Sequence, residues 1–192
     1  AYDFPEPLLL PTGSVASVQL FHFRDLNYRS LHFLEIPQHN LRSLRTTRLA
    51  VLNENEANAI PTEAPPGEVY ASSFPRNGMP VFEGISRISA TPPGLTRYVA
   101  TGVHVPVSTR HEHESRGGRR GEDRLDLHTV SMTNEGTEAI EVLVQRSIGN
   151  TRTLVHRMPE GFEQLGSLIR GTIRLAPGET QTFELTLRTP AL

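Results

Sequence analysis

The 192-residue chain contains no cysteine and no tryptophan, and all 19 of its Lys-plus-Arg cations are arginine. Without cysteine there is no disulfide, no thiolate nucleophile, no iron–sulfur cluster and no cysteine zinc site. Without lysine there is no Schiff-base chemistry, no P-loop lysine and no kinase strand lysine. Long apolar runs are missing as well. Leu8-Leu9-Leu10 is hemmed in by Pro7 and Pro11, and nothing approaches the roughly 18 residues that cross a membrane as a helix, so no transmembrane segment is expected. Charge of one sign is also lacking. The 21 acids nearly balance the arginines, for a net charge of −2, whereas a nucleic-acid binder carries a basic excess; no nucleic-acid partner is expected. No secretory leader is legible. Because the chain starts at Ala1 rather than Met, a preceding segment is expected to have been removed.

What is present is proline and glycine, 15 of each, punctuating short apolar stretches. This is the pattern of strands joined by turns. A proline-rich arm over residues 1–13 leads into strand-like runs at Val15–Phe23, Tyr28–Ile36 and Leu44–Leu52. A polar loop over Asn53–Pro66 follows. Gly67–Tyr70 and Val81–Ile88 flank an Asn77-Gly78 hairpin signal. Leu95–Val107 reads as one long strand. Beyond a polar stretch, strands are predicted at Leu125–Met132, around Ile140, Val142 and Val144, at Leu154-Val155, over Leu168–Leu175 and around Phe183, Leu185 and Leu187. The last alternates cleanly with Thr182, Glu184 and Thr186, as a half-buried strand does. One helical turn or two is predicted over Glu160–Leu168.

About ten strands without a long helix predict an all-β fold, an antiparallel β-sandwich with an immunoglobulin-like C-terminal part. The expected division is an N-terminal β-sandwich part with its arm over 1–107, a polar Arg/Gly loop over 108–124 and an immunoglobulin-like part over 125–192.

These stretches carry a resemblance. Leu8–Leu20 (LLLPTGSVASVQL), Leu49–Tyr70 (LAVLNENEANAIPTEAPPGEVY), Val81–Gly102, Val130–Val144 (VSMTNEGTEAIEVLV) and the closing Pro177-Gly178-Glu179 with Phe183-Glu184-Leu185 resemble the C-terminal β region of bacterial mucoidy-inhibitor-like proteins. The function of that family is not established. The resemblance covers most of the chain and rests on turn and strand signatures, so it implies a fold and supplies no catalytic residue. The family's N-terminal domain and coiled coil have no counterpart here, and FEGISRI stands where the family has an acidic residue before the middle strand.

Three clusters invite chemistry. His111-Glu112-His113-Glu114 would place both imidazoles on one face if the segment were a strand. His111 and His113 are therefore the metal-ligand candidates, with His104 or His128 as a third donor for zinc or copper; the competing reading is a solvated polar loop. Arg116, Arg119 and Arg120, set among glycines and offset by Glu112, Glu114, Glu122 and Asp123, are candidates for contact with an acidic partner or for a loop that pairs its own charges. Phe21-His22-Phe23 and His32-Phe33 alternate aromatic with imidazole, so that if the phenylalanines face a core the histidines face outward or into a partner. No G-x-S-x-G elbow and no His-Glu-x-x-His signature occurs.

The expectation is thus a non-enzymatic β-sandwich module, an accessory or structural subunit of a cell-envelope or surface assembly. It would be located in the envelope or periplasm, with the cytoplasm as the alternative. Its partner is another protein or a second copy, with contact through Phe4 of the arm and Arg116, Arg119 and Arg120. No catalytic residue and no cofactor is expected. The rival readings are a metal-dependent enzyme using His111 and His113, and a viral capsid or tail protein.

Overall fold

The computed structural model describes residues 28–38, 41–52, 66–75, 78–102, 106–149 and 152–191. The arm with Phe4, the Phe21-His22-Phe23 run, the polar loop at 53–65 and His104 lie outside the described residues. Twelve strands are formed among those described: β1 (Arg29–Glu35), β2 (Thr46–Leu52), β3 (Gly67–Ser73), β4 (Val81–Ile88), β5 (Arg97–Gly102), β6 (Val107–Gly117), β7 (Arg124–Asn134), β8 (Ile140–Ser147), β9 (Leu154–Arg157), β10 (Phe162–Leu165), β11 (Leu168–Leu175) and β12 (Thr180–Thr189). They make a six-stranded sheet in the order β10-β11-β8-β1-β2-β5, a four-stranded sheet in the order β6-β7-β12-β9, and the separate hairpin β3-β4. The protein is an all-β sandwich. Its ladders are antiparallel except one: β1 runs parallel to β8, with His32 opposite Val142 and Leu34 opposite Val144. Through that pair, strands from the first hundred residues share a sheet with strands from the last seventy.

The main core lies between the two large sheets. Leu34 and Ile36, Val142 and Val144, Ile169 and Leu175 come from the six-stranded side, and Val130, Met132, Leu185 and Leu187 from the other. A second cluster, Leu31, Leu49, Val51 and Leu143 with Phe33 and Ala100 against it, lies on the opposite face of β1. Both faces of β1 are therefore covered. That explains its nearly continuous apolar run, since a strand buried on two sides has no polar face to alternate. It also overturns the expectation for His32. The ring is buried rather than turned to solvent or a partner, and burial, then the nearby Arg48 charge, pushes its pKa down.

Three further expectations are corrected. The segment 108–124 is not a loop: β6 occupies it as far as Gly117. Its inward positions are Thr109, His111 and His113, alternating with outward Arg110, Glu112 and Glu114. Because the inward residues are imidazole and hydroxyl rather than aliphatic, the two-residue period leaves no trace in hydropathy. The glycines there form the turn into β7. Gly117 is left-handed at φ 75°, and a Cβ on it would lie 2.1 Å from the Asp123 carbonyl oxygen. The predicted helix over 160–168 is instead β10 and a tight turn at Gly166, φ 60°, which returns the chain along β11. Finally, Leu95–Val107 is not one strand, because β5 ends at Gly102 and Val107 opens β6 in the other sheet.

Candidate functional site

The histidine candidates lie on the inner face of the four-stranded sheet, where it passes from aliphatic to polar. Along β7 the inward residues run Met132, Val130, His128, Asp126, and β6 sets His111 opposite Val130 and His113 opposite His128. Three imidazoles and a carboxylate thus meet at one end of the sandwich. His128 and His111 are fully buried. The rings lie nearly parallel, His111 to His128 at 5.4 Å between centroids and His113 to His128 at 4.6 Å.

Hydrogen bonds fix the protons. Leu41 offers a carbonyl oxygen 3.2 Å from His111 Nδ1, and a carbonyl only accepts, so Nδ1 carries the hydrogen. His111 Nε2 is then the acceptor in the neutral ring. It lies 3.1 Å from His128 Nδ1, which must donate. This leaves His128 Nε2 as a bare lone pair, buried and without a partner. His113 donates Nε2–H to Asp126 Oδ1 at 3.1 Å.

The charges follow. Burial, reinforced by the Arg146 guanidinium from the facing sheet, pushes the His128 pKa down to about 3. Burial also lowers His111, although its hydrogen bond to Leu41 works the other way. Asp126 is pushed up by burial, but hydrogen bonds from Arg124, Ser115 and His113 outweigh this and hold it below the usual carboxylate range.

His111 and His113 do share a strand face, and His128 joins them. They are not disposed as a ligand set. Ligand lone pairs must converge in their ring planes, whereas His113 is stacked on the face of His128, and His111 Nε2 is already occupied by the His128 proton. Among the described residues no group of three or more His, Asp or Glu is arranged to hold a metal ion.

Of the partner-contact candidates, Arg116 folds back on Glu114, with Nε to Oε1 at 2.7 Å and the second nitrogen to Oε2 at 2.8 Å. Arg119 and Arg120 are exposed at the β6–β7 turn. The neighbouring charges also pair locally, Arg110 with Glu112 at 2.6 Å and Arg188 with Asp123.

A different surface stands out. The hairpin β3–β4 contributes nothing to either core cluster. Near its turn end it is tied to the sandwich by the Arg48–Glu83 ion pair and by Gly84, where a Cβ would lie 3.4 Å from the Gly102 amide nitrogen on β5. Its outer face sets Tyr70 opposite Ile85 and Ser72 opposite Phe82. Tyr70 is 64% exposed, Phe82 60%, Ile85 50% and Phe74, just beyond β3, 73%. In the sequence these strands read as ordinary ones. The available signal was the concentration of Tyr70, Phe74 and Phe82 within thirteen residues of a chain that is only 6% aromatic.

No family model, no curated protein and no solved structure matches this chain.

Proposed function

We propose that the protein is a non-enzymatic assembly module, an accessory or structural subunit of the surface assembly expected from its sequence, and that it docks through the β3–β4 hairpin. The observation carrying this reading is the apolar outer face of that hairpin. A two-stranded ribbon is marginally stable by itself, and contiguous exposed aromatic and aliphatic side chains are unusual on a monomer and mark interaction surfaces. Among the described residues β4 is the only ladder partner of β3, so the ribbon also offers a backbone edge for strand addition.

The occupant we favour is a second copy of the chain. Glu68 and Arg87 flank the apolar row and pair with each other at 3.4 Å, so the face carries no net charge to repel its own image across a two-fold axis. Sedimentation of a Tyr70→Ser, Phe82→Ser, Ile85→Ser variant beside the native protein tests the surface. The variant is expected to sediment as a monomer under conditions where the native chain associates. Equal association of both would remove the hairpin from the interface.

A further inference from the structure

At the polar end of the sandwich a half-open cavity of about 340 Å3 lies between the two sheets, within the size range of small-molecule sites. Arg124 and Asp126 of β7 and Arg146 of β8 line it, with Gln38 and Thr153 beside them and Ile148 and Leu187 as an apolar wall. Arg124 stands at the mouth with its side chain half exposed.

Arg146 is the unusual member. It is only 7% exposed. Among the described residues no carboxylate lies within ion-pair distance of it, and Asp126 and Glu35 act on it only at longer range. Its one hydrogen bond among the described residues, from a terminal nitrogen to the Ile36 carbonyl, is stretched to 3.5 Å, and its Nε–H is buried with no acceptor. The carboxylate nearest in kind, Asp126, is already taken: Arg124 donates to it from Nε at 3.0 Å and from a terminal nitrogen at 2.9 Å, and His113 at 3.1 Å. The cavity therefore holds two guanidinium groups against one satisfied carboxylate. A buried cation without a counter-charge is costly, and a sequence has no packing reason to keep one where a methionine would fill the same space.

We propose that this cavity binds a small organic carboxylate, held by the guanidinium fork of Arg146. The planar group accepts from the terminal N–H groups of the fork, since Nε–H has no surface open to the cavity, and a planar donor array of this kind is one that arginine provides and lysine does not. The organic body rests on Ile148 and Leu187. Ile148 and Leu187 offer contact that an organic body uses and inorganic phosphate does not.

The site includes no residue of β3 or β4 and does not depend on the assembly reading. Its test is a heteronuclear NMR titration of the full chain with acetate, succinate and benzoate, with inorganic phosphate as the comparator. At least one carboxylate is expected to bind saturably, moving the Arg146 guanidinium signal most. Arg146→Met, which keeps the volume, should abolish binding, and Arg146→Lys should weaken it by about tenfold, the worth of one charge-assisted hydrogen bond. The native-protein map guards against a variant that fails to fold. No saturable binding of any of the three carboxylates, saturation that leaves the Arg146 signal still, preference for phosphate, or undiminished binding by Arg146→Met would each overturn the proposal.

Discussion

His128 donates its Nδ1–H to Nε2 of His111 over 3.1 Å, and its own Nε2 is buried with nothing to bond. The pair is therefore built for neutral rings. A proton added to His128 would place a second N–H in the core without an acceptor, beside the Arg146 charge.

Stability should consequently depend on pH in a stated direction. The folded His128 pKa, about 3, lies below the ordinary 6.5, so the unfolded chain binds the proton first as pH falls. The contribution is fully present above pH 6.5 and is lost progressively as pH drops toward 3. The expected slope is about 1.4 kcal/mol per pH unit for this one proton, steeper where His111 and His32, both lowered as well, add theirs. Urea unfolding at a series of pH values checks it. His128→Gln should flatten the slope by its share, and an equal slope in that variant would contradict the account.

Asn134 closes the far end of the sandwich. Its buried amide donates to the carbonyls of Glu138, Leu175 and Ala176 at 2.8, 3.2 and 3.2 Å, and its Oδ1 accepts from Gly136 N at 2.9 Å. Asn134→Ala should cost about 3 kcal/mol through unpaired buried carbonyls. Asn134→Asp should cost more, because a carboxylate would face three acceptors. Chemical denaturation ranks the two, and the reverse order would count against this role.

Gly171 lies opposite Phe162 across the β10–β11 ladder, where a Cβ would come within 2.3 Å of the ring. That ring is itself packed on Phe183 at 5.2 Å. Gly171→Ala is expected to destabilise by about 1–3 kcal/mol through overpacking. In a Phe162→Ala background the same change should cost much less, and a double-mutant cycle measures the coupling. Additivity would mean that the ring moves aside freely.

The all-β fold is legible because β12 and β8 alternate and because Pro177-Gly178 and Asn134-Glu135-Gly136 stand before them as turn sequences. β6 was not legible, since a strand whose inner face is Thr109, His111 and His113 carries no apolar period. Of the site, the shared face of His111 and His113 followed from spacing alone. Asp126 and Arg146 did not, because only the pairing of β6 with β7 and the facing of the two sheets bring them there. The exposure of β3–β4 is hidden for a related reason: Tyr70, Phe82 and Ile85 look like core residues until the topology leaves no sheet over them among the described residues.

The hairpin substitutions should leave the fold almost untouched. Tyr70, Phe82 and Ile85 make no part of either core, so serine at these positions should change stability by no more than about 0.5 kcal/mol, as for exposed positions elsewhere. Thermal unfolding of the triple variant, under conditions where both proteins are monomeric, checks this. A large loss would mean that the face is structural rather than free for a partner.

The most direct test of the assembly reading is native mass spectrometry of the intact chain over a range of concentrations. The account predicts a species at a multiple of 21.3 kDa that gives way to the single-chain mass when Tyr70, Phe82 and Ile85 are replaced by serine. A single chain at every concentration, from native protein and variant alike, would contradict it.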